Sequence, residues 1–251
     1  LICSNDDAPW SLDSIIKRVQ IEPMAEALRR FWKTDSAEGF LTSCLANSDY
    51  CSAIAAATKT VNTDDMNRLE FSFARSVAKQ SNCSFDLARA ATRAGCHLPK
   101  VDAAIDTGRY LAERLHIPGR LWESASAEVM PQDTPKAVLD RVAGIRAFWK
   151  QRYADYLAVP EPAVPALWDR VLRAQAKARL GADDAFAAID SIAAVSAADA
   201  SFLRAIASYV RKQPSEVLLH IEQGLDSLMQ APWCRTRLVD EALELLPELA
   251  R

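Results

Sequence analysis

Residues 166–193 read ALWDRVLRAQAKARLGADDAFAAIDSIA. Apolar residues recur here every three or four positions, which indicates helix. The first helix is predicted from Leu167 to Leu180, where Gly181 ends it. Asp183 or Asp184 can cap a second helix. The inner face of that helix carries Phe186, Ile189, Ile192 and Val195. The stretch therefore predicts a helical hairpin.

A second hairpin follows the first. Asp199 opens a helix carrying Phe202, Ile206, Tyr209 and Val210, and Pro214 opens one carrying Leu218, Ile221, Leu225 and Leu228. Corresponding helices start about 32 to 33 residues apart, and units of this size bury their faces by stacking on neighbours. A last helix, from Cys234 to Leu249, is predicted to cap the stack.

The hairpins share motifs with a known repeat family. Ala174-x-Ala176-x-x-x-Leu180-Gly181-x-x-Asp184-Ala185-x-x-x-Ile189-Asp190 resembles a tetratricopeptide repeat, as does Phe202-Leu203-x-Ala205-Ile206 followed by Pro214 and Val217-x-x-x-Ile221. The second unit lacks the aromatic residue expected in its second helix. The resemblance covers residues 166–230 and implies a concave surface for protein or peptide binding. The alternative is an ordinary helical bundle with similar spacing.

The preceding part of the chain is also helical in pattern. One apolar stripe runs through the segment from Thr134 to Leu157. Leu98–Pro99 precedes another predicted helix, which runs to about His116. Residues 159–165 contain three prolines and cannot continue a helix. We therefore predict an all-α protein with a helical bundle (residues 1–158), a Pro-rich connector (159–165), and tetratricopeptide-like hairpins ending in a capping helix (166–251). A tight corner between packed helices is the alternative for the connector.

Composition excludes several classes of protein. Half of the 251 residues are hydrophobic, far too many for a disordered chain. Seven glycines are too few for a glycine-rich nucleotide-binding fold. A net charge of -3 argues against nucleic acid as a partner, and no apolar run is long enough to predict a membrane span.

The chain has six cysteines and no Cys-x-x-Cys motif. Four of them lie near predicted helix ends, where disulfides join hairpins; these candidates are Cys44, Cys51, Cys83 and Cys96. The alternative is reduced, buried thiols. The chain starts at Leu1, as would a mature protein whose signal peptide has been removed. These features favour the bacterial periplasm, with the cytoplasm as the alternative.

The sequence carries no recognised catalytic motif. We predict no metal and no cofactor, although Glu113 and His116 have the Glu-x-x-His spacing of di-iron bundles. The middle of the chain is rich in arginine and aromatic residues. The residues predicted there to bind a protein partner are Arg141, Arg146, Trp149, Arg152 and Tyr153, and the alternative is an ordinary solvated face.

These observations favour a non-catalytic protein-binding protein of the bacterial cell envelope. More specifically, we expect an inhibitor or immunity protein that occludes a secreted toxic enzyme. The alternatives are an envelope enzyme or accessory domain acting on cell-wall polymer or lipid, and a scaffold for an envelope assembly. No oligomeric state is predicted.

Overall fold

The fold is all-α, as the sequence predicts. A computed structural model describes residues 8–44, 46–57, 90–114, 134–232 and 234–249. Within these ranges the regular structure is helical, and the single β contact is an isolated parallel bridge between Trp10 and Val101.

In the N-terminal part, the described residues up to Arg114 include short helices around a small core. They are α1 (Leu12–Val19), α2 (Met24–Ala27), α3 (Ala37–Leu41), α4 (Ser48–Ala57) and α5 (Thr107–Arg114). A π-helical turn, Leu28–Trp32, separates α2 from α3. The buried residues that hold this part together are Leu12, Ala37, Leu41, Tyr110 and Leu111.

Helix α5 starts later than predicted. The sequence placed its start just after Leu98–Pro99, but the chain is extended there and pairs with residue 10: the backbone N–H of Asp102 donates to the carbonyl of Trp10 at 3.0 Å. The side chain of Asp106 then accepts a hydrogen bond from the backbone N–H three residues on, at 2.9 Å. Such a cap satisfies a helical N–H that has no intrahelical partner, so the helix begins at Thr107.

The segment from Thr134 to Leu157 forms two helices rather than one. They are α6 (Lys136–Trp149) and α7 (Tyr153–Ala158). Between them Gln151 adopts a left-handed conformation with φ of 60°, which a right-handed helix cannot contain. The apolar stripe is nevertheless shared, because Phe148 contacts Tyr153 and Tyr156 edge-on with ring centroids 5.4 and 5.3 Å apart.

The described residues after the connector form six helices. They are α8 (Leu167–Leu180), α9 (Ala185–Ala193), α10 (Ala197–Val210), α11 (Pro214–Gln230), α12 (Thr236–Leu243) and α13 (Leu246–Leu249). Gly181, at φ of 63°, ends α8 as predicted. The predicted capping helix is wrong in one respect. It is split into α12 and α13, because the ring of Pro247 would clash with the carbonyl of Leu243 in a continuous helix.

Helix α10 lies at the centre of the larger core. Its residues Phe202 and Leu203 are fully buried, and α12 covers it with Leu238 and Ala242. On the side of α11, a Cβ on Gly224 would lie 2.7 Å from the ring of Phe202. Glycine at this position therefore permits the close approach of the two helices.

The connector turns the chain between helices that pack together. Residues 159–166 are non-helical, and the carbonyl of Val159 accepts a hydrogen bond from Arg173 at 2.6 Å. Tyr156 of α7 shares one core cluster with Leu172 and Ala176 of α8. The two sides of the connector thus have a common core, and their assignment to separate domains stays a prediction.

Candidate partner-binding surface

Helix α11 has an apolar face that no described residue covers. Its inner side, at Val217 and Ile221, packs on the core, whereas the side chains of Leu218, Leu225 and Met229 are 52%, 41% and 79% exposed. Positions spaced by seven and four residues lie within about 40° of one another around a helix. The three side chains therefore form one straight stripe, which we call the outer stripe.

Acidic residues flank the outer stripe. Glu222 and Asp226 are exposed, and α11 contains no lysine or arginine. In an α-helix, residues three and four apart are neighbours on the surface. Glu222 is such a neighbour of Leu218 and Leu225, and Asp226 is such a neighbour of Met229. The face combines exposed apolar area with negative charge.

Sequence reasoning did not identify this face, because it grouped Leu218 and Leu225 with Ile221 and Leu228 as the apolar residues of one helix. The structure uses the register of Val217, Ile221 and Gly224 for the core instead. A signal for the correct arrangement was present. Helix α11 has more large apolar residues than a single buried stripe can contain, so some had to lie outside.

The first turn of α10 contains a buried carboxylate that binds distant parts of the chain. Asp199, in the first turn of α10, is 1% exposed and forms a buried ion pair with Lys33, N–O distance 3.2 Å. The same carboxylate accepts hydrogen bonds from the Cys234 thiol and from the backbone N–H of Arg235, both at 3.0 Å. Burial raises the pKa of Asp199, but the cations Arg235 and Lys33 outweigh it and leave the pKa below its usual value. The N-terminal and C-terminal segments thus meet on α10.

A second ion pair fixes one of the predicted partner-binding residues. The guanidinium of Arg141 on α6 binds both carboxylate oxygens of Asp169, at the start of α8, with an Nε–Oδ1 distance of 3.1 Å. Asp169 also accepts a hydrogen bond from the backbone N–H of Ala166 at 2.8 Å. Because the fork of Arg141 is used for this bidentate contact, its main role in the structure is to join α6 to α8.

The other predicted binding residues lie around the α6–α7 corner. Trp149 and Tyr153 both pack edge-on against Phe148, with ring centroids 5.3 and 5.4 Å away. Arg146 is partly buried, and Arg152 is exposed and pairs with Asp155 at 3.5 Å. The structure therefore brings Trp149 and Tyr153 together, and a binding role for the set stays a prediction.

Three of the disulfide candidates lie in one region. The carbonyl of Cys96 accepts a hydrogen bond from the backbone N–H of Asn47 at 2.9 Å. Cys96 therefore lies beside Asn47, which stands between Cys44 and Cys51 in the sequence. All three are free thiols here, and burial raises the pKa of Cys44. Cys83 lies outside the described residues. Disulfide formation stays a prediction.

Glu113 is a buried titratable group with no hydrogen-bond partner among the described residues. Its side chain is 1% exposed, and neither carboxyl oxygen has a hydrogen bond in the described structure. Burial raises its pKa to about 7, against the opposing effect of Arg109 and Arg141. A substrate cannot reach so deeply buried a group. His116 lies outside the described residues, among which no three potential ligands converge on a metal position.

Comparisons with protein families, curated proteins and solved structures found no match to this chain. Among the helices described, none combines the length and apolar character needed to cross a membrane.

Proposed function

We propose that this chain is a non-catalytic protein-binding protein of the bacterial cell envelope, of the inhibitor or immunity type that occludes a secreted toxic enzyme. The outer stripe carries this proposal. Three large apolar side chains are aligned on one exposed helix face. Contiguous exposed apolar residues of this kind are typical of protein interaction sites, whereas single exposed apolar residues are common on any protein surface. The alternative, that these are unrelated apolar residues scattered over the surface, does not account for their alignment.

Binding fits the structure better than catalysis. The acid that would be the best general-acid candidate, Glu113, is enclosed by protein. The outer stripe, in contrast, is open along its whole length. A partner that covered it would remove apolar area from water, which is the main favourable term in protein association.

Differential capture tests the proposed binding surface. Wild-type protein and the variant Leu225→Glu would be used to capture partners from an extract of the producing cells, with native mass spectrometry of the eluates. A stoichiometric partner is expected with wild type, and its recovery should fall by more than about tenfold with the variant, because a charge is placed within a desolvated contact. Leu139→Glu is the matched control, since Leu139 is similarly exposed on α6. Equal capture by all three proteins would refute the proposal.

A periplasmic location predicts oxidised cysteines. Titration of protein purified from its native compartment, unfolded in denaturant, should give fewer than the six free thiols that the sequence contains. The Asn47–Cys96 hydrogen bond makes Cys44, Cys51 and Cys96 the first residues to map by peptide mass spectrometry. Six free thiols would count against the envelope and favour the cytoplasm.

A further inference from the structure

We propose that the outer stripe binds a basic amphipathic helix of another protein, with lysine or arginine side chains beside Glu222 and Asp226. This inference rests on the proposed function and specifies the chemistry of the partner. It is carried by the juxtaposition of an exposed apolar stripe with an acidic edge on one helix.

The acidic edge is available for an external cation. Glu222 and Asp226 are both exposed, and neither forms an ion pair with any residue in the described ranges. Glu241 on α12 is, by contrast, already paired with Arg179 and Arg237. A partner that places cations at the unpaired positions gains electrostatic complementarity without breaking an internal contact.

The shape of the stripe favours a helix as the binding element. Leu218 and Met229 are separated by three helical turns, about 16 Å along the axis. The stripe is straight and parallel to that axis, and the ridges of another helix can pack along such a surface. An apolar face of the partner helix would cover the stripe while its flanking cations meet the acidic edge.

Charge also argues against a second copy of this chain. If two outer stripes faced each other about a twofold axis, the acidic edges would be brought together as well. Like charges juxtaposed in an interface disfavour the pairing. Because α11 contains no lysine or arginine, it cannot supply the compensating charge itself.

Two designed peptides probe the proposed partner chemistry. Both peptides have the length of α11 and a stripe of leucines along one helix face. In the lysine peptide the stripe is flanked by lysines, and in its glutamate twin it is flanked by glutamates. The lysine peptide is expected to bind wild-type protein, and its affinity should fall by about tenfold or more with E222K/D226K and with rising salt. The variant D240K/E244K is the matched control, because Asp240 and Glu244 are likewise exposed, acidic and four residues apart, but on the α12 side.

The outcomes separate this inference from the proposed function. Equal affinity of the lysine peptide for wild type and E222K/D226K, or equally tight binding of the glutamate twin, would overturn the basic partner. So would a dimer of the protein alone, seen by sedimentation, that Leu225→Glu converts to monomer. If the cellular partner is lost with Leu225→Glu but retained with E222K/D226K, only the inference on charge fails. If capture survives Leu225→Glu, the proposed function itself fails.

Discussion

Replacing Lys33 with methionine is expected to lower the free energy of unfolding by about 3 to 5 kcal/mol. The ammonium of Lys33 is 3.2 Å from the carboxylate of Asp199, and the two side chains are 3% and 1% exposed. Methionine preserves most of the side-chain volume but leaves a buried carboxylate with less positive charge around it. The desolvation cost of that carboxylate is then offset only in part, by Arg235. The left-handed backbone at Lys33, with φ of 53°, is unchanged by the substitution.

Urea unfolding followed by far-ultraviolet circular dichroism measures this effect. Lys17→Met is the control, because Lys17 pairs with Asp13 on the surface, where both side chains are more than two-thirds exposed. Its loss should cost less than about 1 kcal/mol. A Lys33→Met variant as stable as the Lys17→Met variant would show that the contact between the N-terminal segment and α10 contributes little to stability.

The contrast between these two lysines marks the limit of what the sequence predicts. Lys17 and Asp13 are four residues apart on one helix, so their contact follows from helical geometry. Lys33 and Asp199 meet only because the whole chain folds, and no local pattern links them. The same limit explains why the bounds of α8 were predicted correctly, since Gly181 is a local stop signal, whereas the late start of α5 was not. That start depends on contacts with Trp10.

The candidate surface shows the limit in another form. Helical spacing predicted α11 and its amphipathic character, yet two apolar registers were compatible with the sequence. The choice between them was decided by Gly224, whose missing side chain admits the ring of Phe202. Likewise, no local pattern in the sequence shows that Arg141 pairs with Asp169, which lies on another helix. Periodicity identifies faces, whereas tertiary packing determines which face is left open.

Replacing Glu113 with glutamine is expected to stabilise the protein at alkaline pH. The pKa of this buried carboxyl is about 7 in the folded protein, against an ordinary value of 4.5. Between these pH values the folded protein holds a proton that the unfolded chain has released. The free energy of unfolding of wild type should therefore fall as pH rises from 4.5 to 7, by up to about 3 kcal/mol. Glutamine has no carboxyl group to ionise, so the variant should not show this fall.

Urea unfolding at pH 5, 6, 7 and 8 gives the free energy of unfolding of wild type and of Glu113→Gln as a function of pH. These pH values lie on both sides of the pKa of Glu113 in the folded protein, about 7. At pH 5 wild type and Glu113→Gln should differ by less than about 1 kcal/mol, because the carboxyl is still neutral in the folded protein and pH 5 lies only slightly above the pKa of the unfolded chain. At pH 8 the variant should be the more stable, by at most about 3 kcal/mol, since relaxation around the charge reduces the penalty. Glu244→Gln, at an exposed position, should follow wild type at every pH. Parallel curves for wild type and Glu113→Gln would mean that the carboxylate finds water or a cation on ionising, and that α5 opens enough to admit it.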